Sequence, residues 1–358
     1  MSAQDTSEGS TGSRLPRWRI WTFAAGTALL LAVAGGYGLY AAHRHDATIA
    51  SAVAKAPAPA ELPLGGSPHI LYVSTAVGAD YEHLAEVQAG GPAGVPAVGS
   101  LGCERTYAAA DTLVCLRAEG SLVATQYAEV YRDGTGTPRL AQKIQLPGIP
   151  SRTRVSADGQ LVTWTVFVGG DSYNGPQFST RTGVLDLKTG VEIPSLETFA
   201  ASVDGVAYHK VDANYWGVTF GKDDEHFYVT MGSAGHTWLM LGDLATKTLH
   251  SVVENVECPS LSPDGTRVVF KKRISASLTS PWRLYVLDLR TLRETPLAET
   301  RSIDDQAAWL GADEVMYQVP QTSGPGYDIW EVPADGSGTP KLLIHNGFSP
   351  VLVGAQAG

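Results

Sequence analysis

Histidines are the residues of this 358-residue chain most able to gather a metal ion, and there are nine of them. The five within the folded region that invite this interpretation are His209, His226, His236, His250 and His345. They recur at no fixed position in the internal repeats described below, so convergence on one ion is not expected. We therefore predict no metal centre and no bound cofactor.

Two acidic runs carry enough carboxylates to contribute to a calcium site. They are Asp223-Asp224-Glu225 and Asp304-Asp305. Each falls at a predicted turn or strand start, where a solvated carboxylate is the simpler interpretation. We expect neither run to be a site.

The sequence motifs of common enzymes are missing from the printed sequence. It contains no G-x-S-x-G, H-E-x-x-H, C-x-x-C, P-loop or G-x-G-x-x-G pattern. No catalytic residue is therefore predicted.

Cysteine spacing suggests a covalent link instead. Cys103 and Cys115 lie in two consecutive predicted strands that turn near Ala109, and antiparallel pairing about that turn places them opposite each other. Directly opposed Cα atoms lie about 4.5 to 5.5 Å apart, within reach of a disulfide. Two buried free thiols are the alternative, and Cys258 is expected to be a small core residue.

Short strands separated by turns must position all these side chains. Residues 256–299 read as four strands, and the same order fits 102–146, 151–200, 214–254 and 303–345. Equivalent third-strand residues Asp186, Asp243, Asp288 and Glu331 are spaced by 57, 45 and 43 residues. Periods of about 40 to 50 residues with four strands each are typical of propeller blades.

The chain ends complete a sixth blade. Residues 69–98 supply three strands, and "GFSPVLV" at 347–353 supplies the missing first one. The predicted fold is therefore all-β, a six-bladed β-propeller over residues 69–358 with Velcro closure, in which the C-terminal strand completes the first blade. Such closure leaves no open sheet edge at the ends of the chain.

Two of the repeats have a similar turn motif between their first and second strands. "SPDG" at 262–265 and "SADG" at 156–159 suit type I turns ahead of a strand. Together with "LYVLDLRT" and "GVLDLKTG", they resemble the repeats of the TolB family over residues 69 to 353. The resemblance implies a six-bladed propeller that binds other proteins of the cell envelope without chemistry. The chain departs from periplasmic TolB in its predicted membrane anchor, its lack of a detectable N-terminal α/β domain and an Ala-rich, actinobacterial character.

The N-terminal region predicts a membrane anchor. Residues 20–42 contain no charged residue and are long enough to cross a bilayer as a transmembrane helix. Arg14, Arg17 and Arg19 precede them, so residues 1–19 are expected in the cytoplasm and the propeller outside the cell membrane. A cleaved signal peptide is the alternative. Residues 43–68 read as an Ala/Pro-rich linker.

Long links between strands are the predicted binding surface. Links from second to third strands and links between blades emerge on one face, here called the long-link face. The candidates on it are Asp171, Tyr173, Asn174, Tyr208, His209, Lys210, Trp216, Trp282 and Tyr327. Tyrosine and tryptophan among small polar residues are typical of recognition surfaces, although tolerated loop insertions are the alternative.

The favoured function is that of a non-catalytic, membrane-tethered binding module for an envelope protein, peptide or glycan. A net charge of −10 with no basic groove argues against nucleic acid. The alternative is a propeller enzyme, either a glycan lyase or hydrolase or a lactonase-like metal hydrolase, with its site in the central funnel. A sensory ectodomain is disfavoured because only 19 residues are predicted inside the cell.

Overall fold

A computed structural model describes residues 62–90, 94–120, 124–134, 136–169 and 179–354. The chain divides into two units, Met1–Ala56 and Pro57–Gly358, and only the second contains described residues. The predicted cytoplasmic segment 1–19 and transmembrane helix 20–42 lie outside them. Within the described ranges, no helix has the length and apolar character needed to cross a membrane.

The described residues form 26 strands and one 3-10 helix, Leu196–Thr198. In the first half of the chain the strands are β1 (His69–Ser74), β2 (His83–Gln88), β3 (Ala97–Gly102), β4 (Arg105–Ala109), β5 (Thr112–Glu119), β6 (Thr125–Arg132), β7 (Arg139–Gln145), β8 (Ile149–Val155), β9 (Leu161–Val168), β10 (Ser179–Asp186), β11 (Glu192–Ile193), β12 (Ala200–Val203) and β13 (Val206–Tyr208). In the second half they are β14 (Asn214–Phe220), β15 (His226–Ser233), β16 (His236–Asp243), β17 (Thr248–Glu254), β18 (Glu257–Leu261), β19 (Arg267–Arg273), β20 (Trp282–Asp288), β21 (Glu294–Pro296), β22 (Ala308–Leu310), β23 (Glu314–Pro320), β24 (Tyr327–Pro333), β25 (Lys341–Ile344) and β26 (Gly347–Val353).

Six sheets make up an all-β, six-bladed propeller, as predicted. Their strand orders are β26-β1-β2-β3, β4-β5-β6-β7, β8-β9-β10-β11, β14-β15-β16-β17 with β12 and β13 outside β17, β18-β19-β20-β21 and β22-β23-β24-β25. The sheets are called blades 1 to 6 in that order. The last strand, β26, pairs antiparallel with β1, placing His69 opposite Val353 and Leu71 opposite Val351.

The hydrophobic core lies between blades, because the second and third strands of each blade are covered on both faces. The described residues form six core clusters, one at each junction of neighbouring blades. Blades 1 and 6, from opposite ends of the chain, share the cluster that contains Tyr72 and Met316. Burying one large apolar side chain is worth roughly 1.5 to 3 kcal/mol, so each junction adds to the stability of the domain.

The two predicted turns have structural roles. In the turn at 262–265, the amide of Gly265 donates to the carbonyl of Ser262 at 2.8 Å, and Gly265 takes a φ of +77°. The Ser262 hydroxyl accepts from the amide of Arg267 at 3.0 Å and donates to Asp264. The carboxylate of Asp264 is thus used to shape the turn. Ser156 and Asp158 repeat the arrangement in blade 3.

A hairpin lies between two of the predicted repeats. Residues 201–214 separate the repeats 151–200 and 214–254, and there β12 and β13 form a hairpin added to the outer edge of blade 4. Its turn is Asp204-Gly205, where both residues have positive φ, as a two-residue type I′ turn requires. Ala201 is buried beside Leu249 of β17, and this burial docks the hairpin on the sheet.

The described end of the predicted linker packs against the propeller. Leu62 and Leu64 are buried in the core cluster shared by blades 1 and 2. The amide of Leu64 donates to Asp133 Oδ2 at 2.9 Å, and His69 Nε2 lies 3.0 Å from the carbonyl of Pro63. Residues 62–68 therefore belong to the folded domain.

The structure contains the predicted Cys103–Cys115 disulfide, with Cα atoms 5.3 Å apart. The predicted register was wrong, because Thr106 and not Cys103 lies opposite Cys115. The strands turn at Ala110-Asp111, and Cys103 lies just before β4. The bond therefore joins the link between blades 1 and 2 to the second strand of blade 2.

Candidate functional site

Charged side chains from several blades meet among the inner strands near the long-link face. We call Arg105, Arg152, Arg154, Asp305, Gln306 and Gln318 the axial cluster, since all six line one small cavity between the inner strands. Arg105 begins β4, and Asp305 lies in the link from blade 5 to blade 6. The fold brings them together although they are 200 residues apart.

Asp305 is the shared anion of the axial cluster. Its carboxylate pairs with Arg105 Nη1, accepts from Gln318 Nε2 and lies 3.4 Å from Arg152 Nη2. Burial would raise the pKa of Asp305, but the guanidinium groups of Arg105 and Arg152 outweigh it and lower the pKa to about 2. Asp305 is thus charged at neutral pH. It is not the solvated carboxylate that the sequence indicated.

A second group of charges lies at the start of the inner strand of blade 5. We call Glu257, Lys271, Trp282 and Asp304 the mouth cluster. Lys271 is buried, and its Nζ lies 2.6 Å from Asp304 Oδ1, 3.7 Å from Glu257 Oε2 and 4.1 Å from the ring centre of Trp282. Burial alone would lower the pKa of Lys271, but Cys258, Asp304 and Glu257 raise it, so the amine stays charged.

The mouth cluster fixes the position of Trp282. Its indole Nε1 donates to Glu257 Oε1 at 2.8 Å, and Lys271 lies over its ring. A tryptophan held by a hydrogen bond and a cation–π contact has little conformational entropy left to lose on binding. This predicted site residue is therefore presented at the long-link face in a fixed orientation.

Tyr327 is connected to the axial cluster through Phe348. Its ring centre lies 4.8 Å from that of Phe348, over which the guanidinium of Arg105 lies at 4.1 Å. Its backbone amide donates to Thr75 Oγ1 at 3.1 Å. Trp282 thus contacts the mouth cluster, Tyr327 adjoins the axial cluster through Phe348, and the two clusters meet at the consecutive residues Asp304 and Asp305.

The other predicted residues lie elsewhere. Tyr208 donates to Ser233 Oγ at 2.9 Å and packs edge-on against Trp238 on blade 4, while His209 and Lys210 are exposed beyond β13. Trp216 lies flat over Gly232, where an added Cβ would come within 2.4 Å of the ring. Asp171, Tyr173 and Asn174 lie outside the described residues.

A larger cavity of about 380 Å³ lies between blades 2 and 3 on the long-link face. Its described lining includes Gln126, Gln145, Leu146, Ile149 and Phe167 and contains no ionisable side chain. Such a lining can hold an apolar or amide-bearing group by contact and hydrogen bonding, but it offers no acid or base.

Reactive groups are sparse near the axial cluster. Cys258 is buried in β18 beside Arg152 and Lys271, with a left-handed φ of +51°. Across the parts of the chain that the structure describes, no three His, Cys, Asp or Glu side chains group as metal ligands. What the arrangement offers is fixed charge and fixed aromatic surface.

Known structures share this architecture. No protein-family model matches the sequence, and no curated protein matches it. TolB from Acinetobacter baumannii superposes with a TM-score of 0.56 at 17% identity, over 80% of this chain and 66% of that one, just under two thirds of its length. A nidogen/laminin complex gives a TM-score of 0.51 at 10% identity, over 80% of this chain and 98% of that one. The chain has a TolB-like propeller fold.

A puromycin-hydrolysing peptidase from Mycobacterium tuberculosis also matches, at 13% identity and a TM-score of 0.47, over 78% of this chain and 45% of that one. At these identities the likeness shows the fold alone, so function has to be argued from the site.

Sequence reasoning missed most of the axial cluster. Arg105, Arg152 and Arg154 of the axial cluster and Lys271 of the mouth cluster were not predicted, because chemistry was expected only at equivalent positions of the repeat. A signal was present, since "SRTRVS" and "VECPSLS" put charged residues into inner strands, and charged side chains in a buried strand need partners. Asp304 and Asp305 are the carboxylates that pair with these charged residues in the structure.

Proposed function

We propose that this chain is a membrane-tethered, extracytoplasmic, TolB-like propeller that binds an envelope protein, peptide or glycan without chemistry. Binding takes place on the long-link face around the axial and mouth clusters. The membrane tether rests on the sequence of residues 14–42.

One observation carries the proposal: Trp282 packs on the mouth cluster and Tyr327 packs on Phe348 beside the axial cluster, so both aromatic side chains adjoin charged groups that are already held by one another. Interfaces draw most of their binding energy from a few such aromatic and arginine anchors. Lys271, Glu257 and Asp305 are paired within the protein, so the surface is already ordered. Little conformational entropy is therefore lost when a partner binds it.

The enzyme alternative has less structural support. It needs room for a substrate in the central funnel, and small-molecule sites usually enclose about 300 to 1,000 Å³. The axial cavity measures about 10 Å³. The larger cavity between blades 2 and 3 has no ionisable group in its described lining. Contact on the surface therefore fits the geometry better than turnover inside it.

Photo-crosslinking in intact cells tests the proposal. A photoreactive residue replaces Leu278 or Ser323, both exposed in links of the long-link face. Matched controls carry it at Lys188 or Ser337, which are exposed in turns of the opposite face. We expect both long-link positions to capture the same partner, and neither control to capture it. Capture from the opposite-face positions alone would overturn the proposal.

A further inference from the structure

The axial cavity is surrounded by more positive than negative charge. Arg105, Arg152 and Arg154 line it, and Asp305 is the one carboxylate among its lining residues. The neighbouring Lys271 pairs with Asp304 and Glu257 at the mouth, and Asp304 also raises the pKa of Arg152. The three arginines and Lys271 thus carry four positive charges against three carboxylates, and buried charge without a partner is costly.

Arg154 is the least compensated of the three. It is only 8% exposed, and its Nη atoms donate to the carbonyls of Thr153 and Ala307 at 3.0 and 3.1 Å. Its Nε and that of Arg152 find no acceptor among the described residues. Burial lowers the pKa of Arg154 despite nearby Tyr107 and Asp305, as expected for a cation that lacks a full counter-charge.

The size of the cavity limits what it can hold. Its volume of about 10 Å³ leaves room for one water molecule or one monatomic ion. Phosphate, sulfate and carboxylate groups are too large. A water molecule fits and would also serve the unpartnered amide oxygens of Gln306 and Gln318, but it would leave the excess positive charge in place.

We propose that the axial cavity binds one small monovalent anion of halide size, held by Arg152 and Arg154 beside the Asp305 carboxylate. The anion supplies the one negative charge that the four cations lack. The site goes beyond partner binding, because it lies inside the ring and serves the fold itself.

Thermal unfolding of the full chain in detergent tests the proposal. Sodium gluconate is replaced by sodium chloride at constant ionic strength, since gluconate is too large for the cavity. A ligand that binds only the folded state raises the Tm. We expect chloride to raise the Tm by about 1 to 2 °C, the shift that about 1 kcal/mol produces in a domain of this size.

Variants and diffraction separate this site from general salt effects. Arg154→Gln should abolish the chloride-dependent rise and be at least as stable as the parent in gluconate, since it removes the uncompensated charge. Arg139→Gln makes the same charge change on an exposed strand and should keep the rise. If Arg154→Gln fails to fold, Arg152→Gln takes its place. Crystals grown in bromide should show an anomalous peak between Arg152 and Arg154.

Three results would overturn the proposal. They are equal Tm values in gluconate and chloride, a chloride effect that survives in Arg154→Gln, and a bromide-grown crystal with only a water in the cavity.

Discussion

Replacing Asp305 with asparagine should lower the free energy of unfolding by about 3 to 5 kcal/mol, the usual cost of removing one partner from a buried ion pair. The substitution keeps the shape of the side chain but leaves Arg105, Arg152 and Arg154 without their shared carboxylate. Urea denaturation of the full chain in detergent, at one fixed chloride concentration, measures the change.

The matched control is Asp313→Asn. Asp313 pairs with Arg267 at 3.7 Å, but its side chain is 89% exposed, so the expected change is within about 0.5 kcal/mol. A loss below about 1 kcal/mol for Asp305→Asn would contradict the axial ion-pair network, since such a loss is typical of exposed pairs.

The pH dependence of the free energy of unfolding provides a second test of the Asp305→Asn prediction. The pKa of Asp305 is lowered to about 2 from an ordinary 3.8, so its charge stabilises the folded state above pH 3.8. That stabilisation is lost as the pH falls through 3.8 towards 2. The stability gap between the parent and Asp305→Asn should therefore narrow over that range. A constant gap would mean that the carboxylate charge is not the cause.

Replacing both Cys103 and Cys115 with serine should cost about 3 kcal/mol, the loop-closure value for the 12-residue separation. The bond ties the link between blades 1 and 2 to β5, inside the core cluster that also holds Leu62 and Leu64. Its loss should release the start of the domain together with the first blade junction. Denaturation of parent and variant under non-reducing conditions gives the difference.

Thiol counting provides the control. The chain has three cysteines, so denaturation without reductant should expose one reactive thiol and denaturation with reductant three. Cys258→Ala should bring the first number to zero and leave the disulfide intact. Three thiols without reductant would show that the bond does not form.

The fold was predictable from sequence because a repeated four-strand pattern constrains every blade at once. The detail that failed was the hairpin of β12 and β13. Asp204-Gly205 between two alternating segments is a strong hairpin signal, but it fell where the repeat had no strand to assign. The disulfide was predicted with the wrong register, because a two-residue turn at Ala110-Asp111 cannot be located from apolar alternation alone.

The site was harder to predict, since its residues do not repeat. Trp282 and Tyr327 were predicted as binding residues because aromatic residues beside long links favour recognition, and that role stays a prediction. Arg105, Arg152 and Asp305 could not be paired from sequence, because they come from two inner strands and one link between blades, and only the folded propeller makes them neighbours. Internal repeats predict a scaffold, whereas the differences between blades form the site.

Hydrogen–deuterium exchange of the full chain, with and without the crosslinked partner, tests the binding account most directly. The account predicts slower exchange in the links 303–307 and 321–326 and at the start of β20, with no change in the opposite-face turns 186–191 and 262–266. Protection of those opposite-face turns, with the long-link face unchanged, would contradict it.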